Sequence, residues 1–146
     1  MTTQTTQQND NAFKNIAVPA KAFTDQAVYI QTVREGISGR VVKQAIEALG
    51  GNRELFIRLL NTTSANLNRY YHKKVLNRSD SEEVLDTLRV YRYALRIFGD
   101  ENLAREWLAT PIPALAGVPP LDLFDTFEGR TLVRTALRKL EHGEFS

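Results

Sequence analysis

Asn66, Asn68, Arg69, His72, Lys73 and Lys74 fall within one short run, TTSANLNRYYHKKV at residues 62–75, which has no Gly or Pro and few apolar side chains. These are hydrogen-bonding and cationic groups of the kinds that read nucleic acid. Asn can pair bidentately with adenine, Arg with guanine, and Lys reaches phosphate oxygens. The run reads as a helix with Thr63 and Ser64 at its start and a thin inward stripe of Leu67, Tyr71 and Val75, continuing to about Lys74. Charge agrees: between Arg53 and Arg78 there are six basic residues (Arg53, Arg58, Arg69, Lys73, Lys74, Arg78) against the single acid Glu54. Such a patch attracts duplex DNA in a salt-dependent way although the whole chain carries a net charge of only +2. A solvated basic helix that touches nothing is the alternative.

The elements before this run supply the partner helices of a helix-turn-helix. Ser38 is positioned to cap a helix bearing Val42, Ala45, Ile46 and Leu49, and Gly50-Gly51 stops it. Asn52 can cap a second helix with Leu55, Phe56, Leu59 and Leu60, and Asn61-Thr62-Thr63 makes the turn. Upstream, TDQAVYIQTVRE reads as a helix with Ala27, Ile30 and Val33 at helical spacing, or as a strand through Val28, Tyr29 and Ile30. The polar opening MTTQTTQQNDN belongs to an expected flexible tail over 1–21.

Downstream, Ser79 and Glu82 have capping-box spacing before a long stripe of Val84, Leu88, Tyr91, Leu95 and Phe98 that Gly99 ends. Asp100 caps ENLAREWLA, where Trp107 with Leu103, Ala104 and Leu108 reads as core. Four of the five prolines stiffen TPIPALAGVPP. LDLFDTF is a short helix broken by Gly129, and RTLVRTALRKLEHG is the last. The expectation is all-α: a flexible tail (1–21), a helix-turn-helix region (22–78) and a small helical domain (79–146).

The segments GRVVKQAIEALGGNRELFIRLLNTTSANLNRYY and LRVYRYALRIFGDENLAREWLATPIPALAGVPPLDLFDTFEGRTLVRTALRKLEHGEFS resemble the Xre/MbcA/ParS-type antitoxins. The landmarks are Phe98-Gly99, Trp107-Leu108, Pro119 with the Leu-Phe that follows, Gly129, Val133, Leu137 and the closing HGEF. The resemblance covers about 36–146. It implies a C-terminal toxin-binding domain that covers the active-site cleft of a RES-domain toxin, an NAD-destroying enzyme of ADP-ribosyltransferase-like kind. It also implies repression of the chain's own operon through operator DNA, and a homodimer. Asn61 stands where many helix-turn-helix proteins have Gly, which bears on the geometry of that turn.

The residues of the C-terminal third are compatible with that job. Asp122, Asp125 and Glu128, then Glu141, Glu144 and the carboxylate of Ser146, could act as an anionic plug in a cleft built for a pyrophosphate. Phe145 could anchor in an apolar part of it. Arg130, Arg134 and Arg138 recur every four residues and could meet acidic toxin surface, as could His142, or a second DNA strand; a solvated stripe is the alternative. A plain helix-turn-helix transcriptional regulator would share the first half of this reading and differ in the last third.

Other functions have little support. The two histidines, His72 and His142, lie far apart in sequence, and no nucleophile, metal-ligand or Gly-rich phosphate motif appears. No catalysis, cofactor or metal is expected. The chain has no cysteine and no apolar run near the ~18 residues of a membrane span, so a cytoplasmic protein without membrane contact is expected.

Overall fold

The computed structural model describes Phe13 and residues 15–143. The calls on Glu144, Phe145, Ser146 and most of the expected tail lie outside the described residues. The described part is all-α, with seven α-helices and three short 3-10 turns. Its residues divide into two compact units, Asn15–Arg89 and Phe13 with 90–143. α5 (Arg78–Phe98) contributes residues to both units.

In the first unit, order begins before the expected end of the tail: Ile16 is buried, Gln44 Oε1 accepts the Ala17 N–H at 2.7 Å, and Ala20–Phe23 form a 3-10 turn. α1 (Gln26–Glu35) is a helix rather than a strand. Asp25 caps it by accepting from the Ala27 and Val28 N–H groups. Its inward face is Tyr29, Thr32 and Val33, whereas Ala27 and Ile30 are exposed. Two interactions explain that rotation. Thr32 donates its hydroxyl to the Val28 carbonyl at 2.7 Å and so can be buried, and the Arg89 guanidinium lies 3.7 Å over the Tyr29 ring.

α2 (Arg40–Ala48) buries Val41, Val42, Ala45 and Ile46, with Ser38 Oγ accepting the Arg40 N–H at 3.2 Å. α3 (Arg53–Leu59) is capped by Asn52 and buries Leu55, Phe56 and Leu59. Asn61, at φ +50°, turns the chain into α4 (Ser64–Tyr70). Asn tolerates this left-handed conformation, so the turn closes without Gly. α5 is entered through Asn77, whose Oδ1 accepts the Asp80 N–H at 2.7 Å; the cap is Asn77, not Ser79. Leu76 fixes that entry by donating its N–H to the Ile37 carbonyl at 2.8 Å, and the buried Ser81 hydroxyl accepts from the Ile37 N–H.

In the second unit, Val90, Tyr91, Ala94 and Leu95 of α5 are buried, and the Phe13 ring sits 6.1 Å from that of Tyr91. Gly99 turns the chain and Asp100 caps α6 (Glu101–Leu108). Trp107 is half-buried, packed on Phe98 with ring centroids 5.6 Å apart; Leu103, expected in the core, is exposed. The proline segment is pinched by an antiparallel bridge between Ile112 and Val118 around a 3-10 turn at Pro113–Leu115. A second such turn, Pro120–Leu123, leads to Thr126, which caps α7 (Phe127–Glu141).

Gly129 therefore sits inside the first turn of α7 and does not break a helix. A Cβ there would lie 1.9 Å from the Leu123 carbonyl oxygen, so the close approach of two backbones demands glycine.

Candidate nucleic-acid interface and partner surface

α4 is seven residues long, too short to persist by itself, and it buries one side chain completely, Leu67. Polar contacts hold the rest. Thr63 Oγ1 accepts the Asn66 N–H at 3.1 Å. Arg53, at the start of α3, donates from Nη1 to the Tyr71 hydroxyl at 2.8 Å and to Asn68 Oδ1 at 3.5 Å. Its Nη2 donates to the Ser64 carbonyl at 3.2 Å and the Ser64 hydroxyl at 3.3 Å. At about 100° per residue Ser64, Asn68 and Tyr71 share one side of the helix, so one guanidinium grips its whole length.

The exposed side chains are then Ser64, Asn66, Asn68, Arg69, His72, Lys73 and Lys74, with Thr63 exposed at the cap. Among the bases of the expected patch, Arg53 is spent inside the unit. Lys73 is partly engaged, its Nζ lying 4.2 Å over the Tyr70 ring. Burial, with a smaller push from Asp80, raises the Tyr70 phenol above its usual range. Burial likewise raises Asp80, against the opposing pull of Lys73. Among the described residues neither Arg69 nor Lys74 has such a partner, and both are exposed.

The run departs from the sequence reading after Tyr70. The helix stops there, and the chain crosses back over 36–39: Gly39 donates its N–H to the Lys73 carbonyl at 2.9 Å, and Leu76 pairs with Ile37. A Cβ on Gly39 would stand 1.8 Å from the Tyr70 carbonyl oxygen, and one on Gly36 would stand 2.4 Å from that of Leu76. Leaving the helix changes the phase, so Val75 is 55% exposed and Leu76 takes the buried place. Tyr71 is half-buried through its bond to Arg53.

In the second unit the three arginines of the four-residue series separate. Arg130 is 1% exposed and donates Nη1 to the Phe124 carbonyl at 2.8 Å, so it cannot be the surface contact expected of it. It ties the start of α7 to the 3-10 turn before it. Arg134 is half-buried and Arg138 exposed. Asp122 and Glu128 are exposed and Asp125 is half-buried. Glu141 is held within the unit, accepting from the Tyr93 hydroxyl at 2.9 Å and lying 3.7 Å from Arg96, with exposed His142 at 3.9 Å. Burial first, then the bond to Glu141, raises the Tyr93 phenol.

The outer face of α7 was not foreseen from the sequence. Phe127 is 68% exposed, and Leu132 is exposed as well. Thr131 and Thr135 between them donate their hydroxyls back to the Phe127 and Thr131 carbonyls at 3.1 and 3.0 Å. Their donors are spent on the helix, which leaves methyl groups to the surface beside Phe127 and Leu132.

Residues 94–143 match the family model for the antitoxin Xre/MbcA/ParS C-terminal toxin-binding domain. The chain is also 29% identical over 127 residues to the Prs ADP-ribosylating antitoxin of Sphingobium sp. (strain YBL2), covering 80% of each chain. It is 28% identical over 136 residues to Antitoxin Xre of Yersinia enterocolitica, covering 92% of this chain and 90% of that one. A 65-residue match at 32% identity to Antitoxin Xre of Photorhabdus laumondii covers 44% of each.

Residues 94–143 thus carry the toxin-binding domain of Xre/MbcA/ParS antitoxins, and most of the chain is similar to proteins of that kind. The matched toxin-binding domain takes in the end of α5, α6, both proline-led turns and all of α7, which supports a toxin as partner. Asp122, Asp125, Glu128, Arg130, Arg134, Arg138, Glu141 and His142 all lie within it, as does the Phe127 face. α4 and its exposed side chains lie outside it.

Proposed function

We propose that this antitoxin covers the active-site cleft of a RES-domain, NAD-degrading toxin with its C-terminal unit. As a homodimer it represses its own operon by laying α4 in the major groove of operator DNA, and it has no catalytic activity of its own. The observation that carries the toxin half is the exposed Phe127 within the matched toxin-binding region. A phenyl ring this open, beside Leu132 and two inward-bonded threonines, is the kind of anchor that dominates protein interfaces. Asp122 and Glu128 flank it as anions that suit a cleft built for a pyrophosphate. The DNA half rests on α4. Its hold on the unit comes through Leu67, the Thr63 cap and Arg53, while Asn66, Arg69, His72 and Lys74 face outward.

The Sphingobium relative has "ADP-ribosylating" in its name, which favours a second version of the toxin half, in which the partner transfers ADP-ribose to a protein. The test is to purify the native complex, remove the antitoxin, and assay NAD consumption with and without a labelled acceptor. Consumption that returns on removal supports the reading, and label on a protein selects the transferase version. Phe127→Glu should release activity in the reconstituted complex while the antitoxin stays folded. Unchanged inhibition by that variant removes Phe127 from the interface, and a partner that never consumes NAD removes the RES assignment.

A further inference from the structure

The first unit holds a groove of about 470 Å³ lined by Arg40, Lys43, Gln44, Glu47, Tyr71 and His72. We propose that it receives a backbone phosphate of the same duplex, extending the DNA footprint from α4 onto α2; this rests on the DNA half of the proposed function. Arg40, Lys43, Gln44 and Glu47 fall at i, i+3, i+4 and i+7, so they share the outer side of α2 while Val41, Val42, Ala45 and Ile46 face the core. The opposite wall is the turn that follows α4. The bond from Gly39 to the Lys73 carbonyl holds that turn against the start of α2. Arg53 fixes the Tyr71 ring through its hydroxyl.

Charge in the groove is uneven. Arg40, Lys43 and His72 make one end donor-rich, and among the described residues neither Arg40 nor Lys43 has an ion-pair partner. Glu47, one turn beyond Lys43, closes the other end with a carboxylate. A phosphodiester suits this arrangement: its anionic oxygens meet Arg40 and Lys43, and its sugar meets the Tyr71 ring. The duplex is favoured over a free phosphate because the wall is continuous with the reading helix. His72 belongs both to the groove and to the exposed donors that follow Arg69, so a strand seated there runs directly past α4.

The footprint read from sequence began at Arg53 and missed both α2 cations. Each alone looks like an ordinary solvated charge, and the turn that brings His72 to them is set by the glycines at 36 and 39.

The test uses the full chain with Arg40→Gln, Lys43→Gln, both together, and Glu47→Gln, each checked by circular dichroism. Binding is measured across salt concentrations to a random-sequence duplex and to the region upstream of the antitoxin's own gene. Each lost phosphate contact should lower the slope of log affinity against log salt by about 0.9. The double variant, which empties the groove of its one phosphate, should lose that full amount and each single variant no more than that, equally on both duplexes, and Glu47→Gln should bind more tightly at low salt. An unchanged slope in a double variant whose parent binds DNA overturns the groove assignment and leaves the α4 reading standing. A parent that binds neither duplex overturns both. Titration with inorganic phosphate and a mononucleotide separates the sources: saturable binding lost in the double variant, with an unchanged DNA slope, assigns the groove to a small molecule and overturns the duplex assignment.

Discussion

Replacing Gly39 by Ala sets two well-defined effects against each other. Gly39 has φ −58° and ψ −24°, a conformation alanine adopts freely. On backbone entropy alone the change should stabilise the protein by about 0.4–1 kcal/mol. The structure opposes this, because the added Cβ would stand 1.8 Å from the Tyr70 carbonyl oxygen and 2.8 Å from that of Lys73. Both are backbone atoms, so relief requires moving the end of α4 by more than an ångström. Overpacking of this kind costs about 1–3 kcal/mol, and loss of the Gly39–Lys73 hydrogen bond adds about 1 kcal/mol. The net expectation is a destabilisation of about 2–3 kcal/mol, or a fall of roughly 5–10 °C in midpoint for a chain of this size.

Gly51→Ala is the comparator, since its φ of +84° carries conformational strain but nothing lies within 4 Å of the new Cβ. It should cost about 1–2 kcal/mol. Urea unfolding followed by far-ultraviolet circular dichroism measures both. The fluorescence of Trp107, the one tryptophan of the chain, reports on the second unit in the same samples. A Gly39→Ala protein as stable as its parent, or more stable than Gly51→Ala, would refute the reasoning.

Three further outcomes are expected. A double-mutant cycle of Arg53→Gln and Tyr71→Phe should show a coupling of about 0.5–1.5 kcal/mol in urea unfolding, and zero coupling means the guanidinium does not hold α4 through that hydroxyl. Arg130→Gln should cost about 2–4 kcal/mol because it leaves the buried Phe124 carbonyl without its charged donor, while the exposed Arg138→Gln should stay within about 0.5 kcal/mol of the parent; equal thermal midpoints for the pair would contradict the burial of Arg130. Burial pushes the Tyr91 phenol above its usual value of 10.0, with Arg105 pulling the other way. The unfolded phenol therefore ionises first, so this contribution is intact below about pH 10 and is lost as pH rises towards the folded value. Tyr91→Phe should flatten that alkaline fall in stability, as read by denaturation at stepped pH.

Much of this architecture is legible in the chain because its signals are local. Asn52, Thr63 and Asp100 cap the helices they precede in sequence, and Val84, Leu88, Tyr91 and Leu95 lie buried on the side their spacing indicates. The errors arise where a distant backbone decides. Ser79 has capping-box spacing, yet Leu76 is tied to Ile37 and Asn77 caps the helix that starts at Arg78. Gly129 looks like a breaker until the Leu123 carbonyl is seen against it. Arg130 looks like one of three equivalent surface charges, and only the carbonyl left open by the 3-10 turn at Pro120–Leu123 separates it from Arg138. Phe127 ends the LDLFDTF run in sequence, and its exposure depends on the direction in which α7 leaves Thr126.

The polar character of residues 62–75 follows from how α4 is supported. A helix of this length gains little from its own hydrogen bonds and must borrow order from its surroundings. An apolar helix would borrow it by burying a wide stripe, which would consume the side chains needed outside. Here the support is concentrated in few groups: Leu67 in the core, Thr63 at the first turn, Arg53 along one side and Gly39 at the exit. Gly39 matters most in this scheme, since its missing Cβ lets the chain after Tyr70 press directly on α2 and return to the core at Leu76. Asn66, Arg69, His72 and Lys74 are thereby positioned without being buried. Loosening Gly39 or Arg53 should therefore weaken duplex binding even though neither need touch a base.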